Sequence, residues 1–167
     1  SALFDSLARS SGAVEQGRSV ALSADGNTAI VGGPSDSTDV GAAWVYTRSG
    51  GVWHRPGTKL VGTNATIGAH QGISVALSAD GNTAMVGGPY DSSARGAVWV
   101  FTRSGSFWSQ QGAELVPVGA AGAALFGSSV ALSADGNTAI VGAYGDSNNT
   151  GASWVFTRTG GVWSQEG

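Results

Sequence analysis

Cysteine is absent from all 167 residues, so the chain has no disulfide framework, no thiolate metal site and no cysteine nucleophile. Charge is scarce: Asp, Glu, Lys and Arg together supply 11% of the residues, against roughly a quarter in ordinary domains. The net charge of −3 lacks the basic footprint of a nucleic-acid or anionic-membrane binder. No apolar run approaches the ~18 residues of a membrane span, and residues 1–18 have neither the basic start nor the greasy middle of a signal peptide. Neither nucleic acid nor membrane insertion is therefore expected. Disorder is excluded by a hydrophobic content of 41%. What the chain has in excess is glycine, 28 of 167 positions, more than double the usual share of roughly 7%. The glycines do not fall at every third residue, which excludes a collagen-like chain. The length suits one domain.

The string SVALSADGNTA occurs unchanged at residues 19–29, 74–84 and 129–139, each copy starting 55 residues after the last. Likeness continues through IVGGPSDSTDVGAAWVYTRSGGVW (30–53), MVGGPYDSSARGAVWVFTRSGSFW (85–108) and IVGAYGDSNNTGASWVFTRTGGVW (140–163). The chain divides as 1–18, repeat 1 at 19–73, repeat 2 at 74–128 and repeat 3 at 129–167. Each copy reads as strands. Val20 and Leu22 alternate with Ala21, a period of two. Asp25-Gly26 is a hairpin signal, and Thr28–Val31 form a second strand ended by Gly32-Gly33-Pro34. A polar loop precedes Ala43–Thr47, where Trp44 and Tyr46 share one face. Ser49-Gly50-Gly51 turns the chain into a fourth strand, Val52-Trp53, expected to run on to Lys59-Leu60-Val61.

A four-stranded sheet of this size cannot bury both faces alone, so copies must pack face to face. The expected class is all-β: propeller blades, three four-stranded antiparallel repeats per chain, against a three-fold trefoil barrel as the rival. Small Ala21, Ala29 and Gly32 suit close approach at an axis, and bulky Trp44, Tyr46 and Trp53 suit the outer part of a blade.

The repeats resemble the FG-GAP repeat, the blade unit of propellers related to the integrin α-subunit head. Phe126-Gly127 carries its first step in full, and Gly17 and Gly72 keep the glycine behind Gln16 and Gln71. The second step appears as Gly32-Gly33-Pro34, Gly87-Gly88-Pro89 and Gly142-Ala143-Tyr144. The resemblance covers residues 16–167 and is similar to the variety found in bacterial extracellular proteins, which implies a secreted location. It also implies calcium in the turn between the first two strands, held by alternating Asp and Asn. Calcium takes six to eight oxygens, several from carboxylates. The turns here hold one each, Asp25, Asp80 and Asp135, so they read as turn formers, and no cofactor or metal is expected.

Function is expected from binding rather than catalysis. His54 and His70 do not recur in the other copies, which carry Ser109 and Ser164, and Leu125 and Glu15, in their places. No nucleophile elbow, zinc motif or phosphate loop occurs. Two binding classes stand. A protein-interaction platform would use the variable loops Ser35–Val40, Tyr90–Arg95 and Tyr144–Thr150, with Asp36, Asp39, Tyr90, Asp91, Arg95, Asp146 and Asn148 as candidate ligand-binding residues. A multivalent lectin would use Trp53, Trp108 and Trp163 beside Arg48, Arg103 and Arg158 as a sugar platform, although the same tryptophans also suit a core. A structural scaffold with no ligand is a third reading.

Three blades do not close a ring, since propellers carry about four to eight, and an open wedge would expose apolar sheet faces. The expected partner is the chain itself, as a six-bladed homodimer or a nine-bladed homotrimer. Residues 1–18 would then complete a last blade, in their own or a neighbouring chain. Three blades cut from a longer array remain the alternative.

Overall fold

The computed structural model describes residues 14–55, 57 and 59–166. The strand expected within residues 1–13 lies outside them. Three four-stranded antiparallel sheets follow one another along the chain. Blade 1 holds β1 (Ser19–Leu22), β2 (Thr28–Gly33), β3 (Ala42–Ser49) and β4 (Val52–His54). Blade 2 holds β5 (Ser74–Leu77), β6 (Thr83–Gly88), β7 (Ala97–Ser104) and β8 (Phe107–Gln110). Blade 3 holds β9 (Ser129–Leu132), β10 (Thr138–Ala143), β11 (Ala152–Thr159) and β12 (Val162–Glu166). Each is a meander with neighbours in sequence order. Separate sheets of this kind are propeller blades, and they dispose of the trefoil.

The register explains the spacing of the repeat. In blade 2, Val75 faces Val86 and Ala76 faces Met85, while Val86 faces Trp99 and Met85 faces Val100. Val75, Val86 and Trp99 therefore share one face, and Ala76, Met85 and Val100 the other. The first face joins Ile30, Ala43 and Val45 of blade 1 in one buried cluster with Leu60 and Ala69. The second joins Ala139, Val141 and Phe156 of blade 3 in another, with Phe126. Each blade thus presents alanine with valine, isoleucine or methionine forwards and its tryptophan backwards.

The expected fourth strand is shorter than its sequence suggests. β4 ends at His54, and the chain returns only at Leu60, whose N–H and C=O both bond Ala43. Gly57 between them has φ +87°, a left-handed conformation that breaks an extended run. Blade 2 repeats this with Gly112, φ +74°, and the Leu115–Val98 bridge. Among the described residues no helix is long and apolar enough to cross a membrane.

Candidate functional site

The loop between the second and third strands of each blade carries the candidate ligand-binding residues. It folds into a four-residue helical turn: α1 (Asp36–Asp39), α2 (Asp91–Ala94) and α3 (Asp146–Asn149). These turns are left-handed. Ser37, Thr38 and Asp39 have φ of 51°, 60° and 61°, and Ser92, Ser93 and Ala94 have 50°, 61° and 65°. Ser147, Asn148 and Asn149 have 50°, 58° and 67°. Three successive non-glycine residues in this region are unusual, because each brings Cβ close to the following carbonyl.

The aspartate that opens each turn holds it in place. Asp91 is buried. Its Oδ1 accepts from the backbone N–H (2.8 Å) and the hydroxyl (2.9 Å) of Thr66, and its Oδ2 accepts from the Ser92 hydroxyl at 2.8 Å. Asp146 accepts from the N–H of Ala121 at 2.7 Å and the Ser147 hydroxyl at 2.8 Å. Asp36 accepts from the Ser37 hydroxyl at 2.7 Å and is ion-paired with Lys59. The sequence suggests that such an aspartate satisfies its own loop backbone. Instead Asp91 and Asp146 reach a segment 25 residues earlier, leading into the same blade. Asp36, Asp91 and Asp146 are thus committed internally, while Asp39, Arg95 and Asn148 stand exposed.

The turns also fasten one blade to the next. The carbonyls of Asp39 and Val40 accept from the N–H groups of His70 and Gln71, both at 2.9 Å. Those of Ala94 and Arg95 accept from Leu125 and Phe126 at 2.9 and 3.1 Å. The two glycine-bearing steps meet at the same joint. Gly72, φ +90°, donates to Gly87 of its own blade, while its carbonyl accepts from the Ser19 hydroxyl of the preceding blade at 2.8 Å. A Cβ on Gly32 would collide with that carbonyl, and one on Gly87 with the carbonyl of Gly127. Ser74 repeats the contact, donating to Gly127 at 2.7 Å.

Tyr90 lies beside this frame, not within it. It is exposed, its ring meets that of His70 edge-on at 5.2 Å, and its hydroxyl is hydrogen-bonded to Tyr144, whose pKa this bond raises, with burial adding to it. Both tyrosines line a cavity of about 390 Å³ with Arg18, Ile73 and Ser128. Residues 18, 73 and 128 are the same position in the three repeats, so this cavity lies where the blades converge. Arg18 was missed as a lining residue. Its only signal is that its position varies immediately before an invariant string.

The sugar platform is differently engaged. The Arg103 guanidinium lies 5.5 Å from the ring centre of Trp108, and that of Arg158 lies 5.3 Å from Trp163, a cation–π arrangement that covers a ring face. Arg158 further donates to Asn137, to Gln111 and to Thr83, and Trp163 Nε1 donates to Gln111 at 3.1 Å. These groups fasten blade 3 to blade 2. Arg48 and Trp53 are cross-strand partners.

The hairpin aspartates close their turns. Asp25 accepts from the Ser23 hydroxyl at 2.5 Å and from the backbone and side-chain nitrogens of Asn27 at 2.9 and 3.1 Å. Ser23 in turn accepts from Thr28 N–H. The Ser23 hydroxyl, then the Asn27 N–H, holds the Asp25 carboxyl below its ordinary value of 3.8. The Ser133 hydroxyl and Asn137 do the same for Asp135. At Asp80 slight burial pushes upwards, and the Ser78 and Asn82 bonds outweigh it. Among the described residues no three His, Asp or Glu side chains group as a metal site.

Residues 108–156 match the FG-GAP repeat family. The match runs from the outer strand of blade 2 into β11 and includes Phe126-Gly127. No curated protein matches the chain. Among solved structures it is similar to TolB from Acinetobacter baumannii, at 14% identity over 88% of this chain and 31% of that one, TM-score 0.48. It is similar to a candidate TolB from Agrobacterium tumefaciens, at 13% identity over 88% and 44%, TM-score 0.51. A functionally unknown protein from Desulfotomaculum acetoxidans shares 13% identity over 91% and 55%, TM-score 0.53. The likeness to the last two shows the fold alone, and this chain spans 31–55% of the lengths of the three.

Proposed function

We propose that the chain is a non-catalytic recognition module, a propeller built by chains associating with one another, which engages a protein partner through the end that carries the left-handed turns. The carrying observation is a constant backbone with changing side chains. Three turns share one conformation, yet they display Ser37-Thr38-Asp39, Ser92-Ser93-Ala94 and Ser147-Asn148-Asn149. The buried aspartates keep the frame, which leaves the exposed residues free to differ. The nearby cavity, with Arg18, Tyr90 and Tyr144, offers a cation and two amphipathic rings, groups suited to an interface. The FG-GAP match supports a repeat module of the interaction kind and a secreted location.

A lectin reading has less support, since Arg103 and Arg158 cover Trp108 and Trp163, two of the three rings it would use. Catalysis is left out of this reading because the sequence carries no nucleophile elbow, zinc motif or phosphate loop. The test is affinity capture from secreted material of a bacterial culture, comparing the native chain with one in which all three turns read Ser-Ser-Ala and Tyr90 and Tyr144 are alanine. A protein recovered only with the native chain is expected. Identical recoveries would overturn the reading.

A further inference from the structure

The two joints inside the chain define what one blade offers the next, and part of each half is exposed at the chain's outer blades, while Val31, Trp44 and Tyr46 on the backward face of blade 1 are already buried with Val14 and Trp53. On the forward face of blade 3, Ile140 is 48% exposed, while its counterparts Ile30 and Met85 are both at 0%. On the backward face of blade 1, Val20 is 69% exposed where Val75 is at 8%. The polar groups follow the same pattern. The Ser19 and Ser74 hydroxyls each bond a carbonyl of the next blade, whereas Ser129 is exposed and Gly17 is exposed. Ala24 N–H donates to Ala79, and Ala79 N–H to Ala134, both at 2.9 Å, a chain of bonds from hairpin to hairpin that stops at Ala134 among the described residues. Gly41 and Gly96 seat the backbone of Gln71 and Phe126, but near Gly151 a Cβ would meet only its own loop.

We infer that the forward face of blade 3 takes the backward face of blade 1 from a second copy of this chain, forming a third joint of the same design. The inference rests on the self-association part of the proposed reading and is independent of the protein partner. The repeat assigns the contacts. Ser129 donates to Gly17 of the second copy, as Ser74 does to Gly127. Ala134 N–H donates to Ala24 of the second copy. The carbonyls of Asn149 and Thr150 accept from Glu15 and Gln16 of the second copy, as those of Ala94 and Arg95 accept from Leu125 and Phe126. Ala131, Ile140 and Val155 cover Val20 and Leu22 of the second copy. A second copy is the occupant because the sequence of this chain carries both halves, already mated twice within it, and because Val20 and Leu22 on one half and Ile140 on the other are exposed apolar side chains. An interface whose halves lie on opposite faces of one chain is head-to-tail and closes when the rotation per blade completes a circle.

The joint is tested by blocking its halves separately. Ile140→Lys spoils the forward face, and the double variant Val20→Asp, Leu22→Asp spoils the backward face. All three positions are exposed in the chain, so folding tolerates them. Each variant alone is expected to run at one chain, 16.6 kDa. Mixed in equal amounts, they retain one good half each and are expected to form a two-chain species that goes no further. Either variant assembling alone while the native chain assembles would overturn this joint and leave self-association standing. A native chain that stays single at every concentration tested would overturn both.

Discussion

At the scale of single residues, two kinds of side chain set the architecture. One is the hairpin aspartate, whose carboxylate replaces backbone partners that a tight turn cannot supply. Because Asp25, Asp80 and Asp135 are held below 3.8 when folded, their contribution is complete above that value and disappears as pH falls through the lowered one. The melting temperature should therefore drop on acidification below about pH 4. The triple variant Asp25→Ala, Asp80→Ala, Asp135→Ala should melt lower at neutral pH and lose less on acidification. Parallel pH curves for the two proteins would contradict this. The other kind is the glycine at a joint. Gly87→Ala puts a methyl against the Gly127 carbonyl and should destabilise by about 1–3 kcal/mol, read by denaturant unfolding. Gly142→Ala meets only Ser129, mainly its mobile hydroxyl, and should cost a single chain about 0.5 kcal/mol or less while weakening the association of chains. Equal costs at the two sites in a single chain would show that the forward face of blade 3 is already covered, as that of blade 2 is.

At the scale of elements, the meander was legible because period-two alternation and the Asp-Gly signal need only local physics. Trp99 and Val98 fall on opposite faces as alternation requires. The left-handed turns were not legible. Nothing in Ser-Thr-Asp or Ser-Ser-Ala favours positive φ three times running. In blades 2 and 3 the conformation is held from outside, by a buried aspartate reaching a segment 25 residues earlier. Likewise, the glycine steps were visible as strings, but their meaning, a close approach between blades, appears only once blades are placed side by side. Such imposed backbone carries strain. Thr38, β-branched at φ 60°, should be relieved by Thr38→Gly, which raises the melting temperature by up to about 1 kcal/mol of added stability. A fall in stability would show that the Thr38 side chain contributes more than its backbone costs.

For the whole molecule, the governing fact is that blade 2 is buried on both faces while blade 1 leaves Val20 and Leu22 exposed on its backward face and blade 3 leaves Ile140 exposed on its forward face. The sequence predicts face-to-face packing from sheet size alone, and the three separate sheets bear this out. How many chains surround the axis depends on the rotation between blades, which no residue pattern encodes. A pair of chains gives six blades, within the range that propellers adopt. The most direct measurement is the mass of the native chain in solution, by light scattering after gel filtration across a range of concentrations. The account predicts a discrete closed species of about 33 kDa, two chains of 16.6 kDa. A well-folded particle of 16.6 kDa that persists at high concentration would contradict it.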